Sequence, residues 1–137
     1  MTDTADSFSV DFAIDEPNRI LRVTARGLMQ SDVFVDRCIA FFLNVDSPWR
    51  YNRLYDQTGC RGFASFDDLS RMSRVLNPLW AKAESPTRVA VANPSRLVEA
   101  RMPLVSQLYE QPNHRVFATV EDAEDWLIDG RHFLGGG

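Results

Sequence analysis

The side chains best suited to chemistry crowd between residues 53 and 68, where Arg53, Asp56, Cys60, Arg61, Ser65, Asp67 and Asp68 lie around two glycines, Gly59 and Gly62. A cysteine attacks as its thiolate, so Cys60 would need a neighbouring base and a lowered pKa to act as a nucleophile. The two histidines, His114 and His132, lie far along the chain and have no metal-ligand company in sequence. Cys38 and Cys60 form neither a CxxC pair nor a metal spacing. The glycines spell neither a P-loop nor G-x-G-x-x-G. These residues predict no catalytic group, no metal and no cofactor, with Cys38 a core filler.

Binding and switching remain. Ser65-Phe66-Asp67-Asp68 matches the S-x-x-D capping box, which places a helix start at Ser65. A phosphate there would meet free N–H groups and the positive end of the helix dipole, but Asp67 and Asp68 would oppose its charge. Ser65 therefore reads either as a helix cap alone or as a phosphorylation switch. Asp56 falls at the carboxyl end of a predicted strand, where it would point into a ligand crevice or bond the N–H groups of the turn that follows. Asp56, Thr58, Gly59, Cys60, Arg61 and Gly62 form the candidate ligand or partner loop. Arg50, Arg53, Arg61, Arg71 and Arg74 surround it in sequence, suited to an anion or to pairing with Asp56, Asp67 and Asp68 on a solvated face.

Alternating and helical periodicities supply the elements that carry these residues. Phe8, Val10, Phe12 and Ile14 share one strand face, and a turn at 15–18 leads to a β-rich run at 20–25 that Gly27 ends. Ser31 caps a helix running to about Val45, whose wide apolar stripe includes Phe34, Val35, Cys38 and Phe42. Residues 51–57 form an unusually polar central strand; the loop and the Ser65 helix follow, with Pro78 ending or kinking that helix. Residues 87–92 read as a strand, Asn93-Pro94 as the next helix start, and Pro103 as a kink within it. Residues 114–119 form the last strand, and Thr119 caps a helix stopped at Gly130. The order β-β-α-β-α-β-α-β-α predicts an α/β fold: a mostly parallel sheet with an antiparallel N-terminal hairpin strand.

Composition sets outer limits. The chain of 137 residues suits a single domain, with an ordered core over about 8–130 and flexible ends at 1–7 and 134–137. A net charge of −4 argues against nucleic acid, whose phosphates need a basic footprint. No run approaches the ~20 apolar residues of a membrane span, and the start lacks a signal-peptide pattern, so a cytoplasmic location is expected. Phe34, Phe41, Trp49, Trp80, Tyr109 and Trp126 are many large rings for a small sheet protein. Most belong in the core; the excess predicts a shared surface, as a homodimer face, a partner groove or a pocket for an apolar ligand.

The order and texture resemble the SpoIIAA-like or STAS-type domain, and more closely its STAS/SEC14-type branch. The resemblance is carried by Gly27-Leu28 before Ser31-Asp32, Arg53-Leu54-Tyr55-Asp56, Arg88-Val89-Ala90-Val91, and Arg115-Val116-Phe117 followed by Ala123-Glu124-Asp125-Trp126-Leu127. It implies a non-enzymatic regulatory or protein-interaction module. In anti-sigma-factor antagonists of this type, a serine at the start of the helix after the central strand is phosphorylated by a partner kinase. Ser65 is the nearest equivalent, although its surroundings depart from that group's aspartate-serine pattern. The alternative is a carrier or sensor of a small apolar ligand held between helices, where Pro78 and Pro103 could open a cleft.

Overall fold

The structure, a computed structural model, describes residues 7–110 and 113–136, and only the backbone of 130–136. Five strands form one sheet in the order β1-β2-β3-β4-β5. They are β1 (Ser9–Asp15), β2 (Ile20–Leu28), β3 (Asn52–Arg61), β4 (Val89–Ala92) and β5 (His114–Phe117). Only β1 and β2 are antiparallel. Their turn is tied by Asp15, which accepts from the Asn18 backbone and side chain, and by Arg19 in the left-handed region at φ 56°. Such local carboxylate bonds are what favour Asp and Asn in turns. The helices are α1 (Ser31–Asn44), α2 (Phe66–Trp80), α3 (Arg96–Ser106) and α4 (Val120–Gly136), with a 3₁₀ turn at Pro48–Arg50. The expected element order and fold class are both observed.

Alternation along the strands divides the core into two layers. On one face Leu21, Val23, Tyr55, Val89 and Val91 meet Phe34, Cys38 and Phe42 of α1, Met72 and Leu76 of α2, and Val98 and Val105 of α3. On the other, Ile20, Leu54, Ala90 and Ala92 meet Ala123 and Leu127 of α4. The alanines on that side let α4 lie close to the sheet. Of the large rings, Phe34, Trp80 and Tyr109 are buried and Phe41, Trp49 and Trp126 are half-buried, so the aromatic excess goes chiefly to the core.

Several local expectations are corrected. Gly27 does not end β2; the strand passes through it at φ +90°, with the Ser7 carbonyl only 2.1 Å from where a Cβ would stand. The central strand also continues, through Gly59 and Cys60 to Arg61, so most of the expected loop is strand and only Gly62 has a positive φ (+78°). The register explains this: Thr24 pairs with Asp56 but Arg26 with Gly59, which places one extra residue in β3. Asp56 Oδ1 accepts from the Thr58 N–H (3.0 Å) and hydroxyl (2.7 Å), holding that bulge and letting the ladder resume.

Helix ends differ too. Gln30, not Ser31, is the N-cap of α1 and makes no side-chain cap bond. Ser95 caps α3 through the Val98 N–H, while the buried Asn93 accepts from the Ser95 N–H and donates to Gln57. Helix α2 runs through Pro78 to Trp80, because the proline is exposed and the Ala81 N–H closes the next turn on the Asn77 carbonyl. Helix α3 likewise continues past Pro103. Gly130 lies within α4, whose helical backbone reaches Gly136 and so includes 134–136 of the expected C-terminal tail; glycine costs a helix only about 1 kcal/mol. Residues 1–6 and Gly137, also expected as tails, lie outside the described residues.

Candidate functional site

The carboxyl ends of β2 and β3 and the starts of α1, α2 and α3 meet at one edge of the sheet. There Ser65 caps α2 as its sequence predicts, accepting from the Asp68 N–H at 3.1 Å. Its own N–H donates to the Ser31 hydroxyl oxygen at 2.8 Å, and that hydroxyl donates to Asp68 Oδ2 at 2.6 Å. Ser31 thus leaves its own helix uncapped and joins the start of α1 to the start of α2. Arg71 extends the link, reaching Asp36 of α1 at 2.6 Å and Asp68 at 3.4 Å. The Ser31 hydroxyl, foremost among these contacts, lowers the pKa of the Asp68 carboxyl. Ser65 remains exposed, and its chain neighbours Phe63 and Phe66 expose 39% and 44% of their surfaces.

The other candidate residues sit along the same edge. Thr58, Gly59, Arg61 and Gly62 are exposed, while Asp56 and Cys60 are half-buried. The Cys60 thiol donates to the Arg61 carbonyl, and burial pushes its pKa up; Cys38 is fully buried and pushed up further. Neither thiol is activated. The arginines do not form the expected surface set. Arg71 pairs as described, Arg74 donates to the Ser70 carbonyl, and Arg53 is 3% exposed in the core.

Arg53 is the main residue that sequence reasoning misplaced. On β3 it faces the same side as Tyr55, in register with Val89 and His114 across the sheet. Its guanidinium carbon lies 4.2 Å from the Trp80 ring centre and 5.6 Å from that of Tyr109. Among the described residues no carboxylate pairs with it, and its Nε and Nη1 have no hydrogen-bond partner. Removing such a group from water costs several kcal/mol, whereas a desolvated cation–π contact returns roughly 2 kcal/mol. Each unmet buried donor adds about 1–3 kcal/mol. The aromatic box alone therefore does not offset the cost of burying this charge.

Two neighbours share the deficit. The Tyr55 hydroxyl and His114 Nδ1 are also buried without partners. Burial raises the pKa of the Tyr55 and Tyr109 phenols, and Arg53 opposes that rise. His114 stacks on Tyr109 at 4.4 Å between ring centroids; burial first and Arg53 second bring its pKa down to about 3, so it is neutral at ordinary pH.

Tyr55, Tyr109 and His114 line a cavity of about 60 Å³ between the sheet, α2 and α3. Its remaining walls are mostly apolar, including Leu69, Met72, Val91, Val98 and Met102. Phe63, Ala64 and Arg101 also line it; Arg101 donates to the Ala64 carbonyl and lies 4.1 Å from the Phe63 ring centre. This clasp joins the cavity wall to the residue before Ser65. A smaller cavity of about 20 Å³ lies against Arg53, Trp80 and Tyr109. The main cavity thus lies between the two proline-containing helices, although neither proline lines it. The sequence signal for the buried arginine was Tyr51-x-Arg53-x-Tyr55, an arginine at an inward strand position between two aromatic residues.

No protein-family model matches the sequence, and no curated protein does. Solved structures do. An uncharacterised protein of the DUF3478 family with a SpoIIAA-like fold, from Shewanella loihica PV-4, superposes with a TM-score of 0.57 at 18% identity, covering 93% of this chain and 98% of that one. An anti-sigma factor antagonist from Mycobacterium paratuberculosis gives a TM-score of 0.52 at 15% identity, covering 89% and 95%. The chain has the SpoIIAA-like fold, as its sequence resemblance implied. No helix among the described residues is long and apolar enough to cross a membrane.

Proposed function

We propose that this chain is a non-enzymatic, cytoplasmic regulatory module that binds a protein partner through the edge formed by residues 58–65 and the start of α2. One observation carries this reading: an exposed serine hydroxyl, which accepts from the Ser31 hydroxyl and the Asp68 N–H, stands between the exposed rings of Phe63 and Phe66 in the chain. Exposed apolar groups rimmed by polar ones suit a protein contact. A phosphate on Ser65 would compete with the Asp68 carboxylate for the Ser31 hydroxyl and the Arg71 guanidinium and break the link to α1, which gives a local charge change a structural consequence. The fold shared with an anti-sigma factor antagonist supports the same reading. Asp56, Thr58, Gly59, Cys60, Arg61 and Gly62 would flank the contact.

The test compares proteins retained from a lysate by wild type, Phe66→Asp, Ser65→Asp and Leu104→Asp, the last altering an exposed leucine of α3 away from this edge. A partner kept by wild type and Leu104→Asp, but lost or weakened with the other two, supports the proposal. Identical retention by all four would make it untenable.

A second reading is a carrier or sensor of a small apolar ligand, favoured by the cavity between α2 and α3. The Arg101–Phe63–Ala64 clasp would connect such a ligand to the Ser65 edge. A homodimer is a further form of the shared surface, for which β1, an edge strand with exposed Ile14, is the candidate face. Light scattering at micromolar concentration tests it, and a monomer mass rejects it.

A further inference from the structure

We infer that the cavity between α2 and α3 is a site for a small monocarboxylic acid with an apolar body, its carboxylate received by Tyr55 and His114 on the cavity wall and by Arg53 of the smaller cavity that shares Tyr109 with it. This deepens the second reading above and rests on it.

The head group follows from what is left unpaired. The buried groups without partners are Nε and Nη1 of Arg53, the Tyr55 hydroxyl and Nδ1 of His114. All can donate, His114 in one of its neutral tautomers, and one of the three side chains carries a full charge. The fitting partner is an anion that only accepts. A carboxylate supplies two oxygens with about four lone-pair sites in a plane that matches the guanidinium fork. Among the described residues no carboxylate of the chain occupies that role.

The place of the head follows from the cavity walls. Arg101, a cation on the lining, is already engaged by the Ala64 carbonyl and the Phe63 ring. Tyr55 and His114, which carry two of the unmet donors, stand on the sheet side of the main cavity; Arg53 borders the small one instead, and Tyr109 lines both. Burial keeps His114 neutral, so it adds a hydrogen bond and not a second charge. The size of the body follows from the volume: about 60 Å³ corresponds to roughly four to six water sites, which suits a body of about five or six carbons or a single ring.

The experiment is a calorimetric titration of the full chain with hexanoate, hexanol and hexylamine, which share an apolar body and differ in head charge. Wild type is expected to bind hexanoate at least about tenfold more tightly than hexanol, and hexylamine more weakly still. Arg53→Met should erase the preference for hexanoate, and Arg53→Lys, which keeps the charge without the fork, should fall between. Val98→Phe, which fills the apolar wall, should weaken both hexanoate and hexanol. Equal binding of hexanoate and hexanol by wild type would overturn the carboxylate assignment and leave the apolar-ligand reading standing. So would a hexanoate preference that persists in Arg53→Met. Should that variant not fold, the wild-type ratio and Arg53→Lys decide. Absence of binding by all three ligands would overturn both this inference and the reading beneath it.

Discussion

The guanidinium carbon of Arg53 lies 4.2 Å from the centre of the Trp80 ring, and that ring, not a carboxylate, faces the buried charge. In the chain alone, replacing the arginine by an apolar side chain of similar length removes a desolvation cost that nothing fully offsets. Arg53→Met is expected to have an unfolding free energy in urea titration equal to or above that of wild type, by up to about 2 kcal/mol. A loss of several kcal/mol would mean that the guanidinium supports the fold through a partner in the chain.

The link between Ser31 and Ser65 predicts coupling between α1 and α2. Ser65→Ala should cost about 1 kcal/mol through the lost cap. Ser31→Ala removes the acceptor of the Ser65 N–H, and the two changes in a double-mutant cycle should depart from additivity by more than about 0.5 kcal/mol. Carboxyl chemical shifts followed with pH should show the Asp68 pKa rising in Ser31→Ala, since that hydroxyl is the first cause of its depression.

His114 predicts an acid limb of stability. Its folded pKa, about 3, lies below its unfolded value of about 6.5, so below pH 6.5 the unfolded chain binds a proton that the folded chain refuses. Stability therefore falls as pH drops from about 6.5 toward 3, by up to about 1.4 kcal/mol per unit from this group. Urea midpoints across that range should decline less steeply in His114→Phe, which retains a ring against Tyr109. Parallel slopes would show that His114 is protonated or solvated in the folded state.

Gly27 combines a positive φ with a Ser7 carbonyl 2.1 Å from the position of a Cβ. Gly27→Ala should lose at least about 1 kcal/mol in thermal or urea unfolding. Removing residues 1–7 should recover the steric part of that loss but not the part due to φ.

These cases show where the sequence was readable. The order of elements followed from periodicity, and Ser65 and Asp56 bond the N–H groups that their residue types and spacing predict. Ser31 has the right type for a cap, but its hydroxyl is committed to partners 34 and 37 residues away. The strand beyond Asp56 was hidden because two glycines resemble a loop, while a carboxylate-stabilised bulge lets pairing continue. Arg53 was hardest to place. Arginine ordinarily marks the surface, and the rings that enclose this one arrive from Trp80 and Tyr109, on elements that only the fold brings together.

The claim that the chain works through the Ser65 edge is tested most directly by hydrogen exchange of the module with and without a partner retained by wild type. Amide protection should rise over residues 60–69 on binding and stay unchanged over 9–15 and 120–129. Protection that rises only at β1 or α4, with 60–69 unaffected, would contradict it.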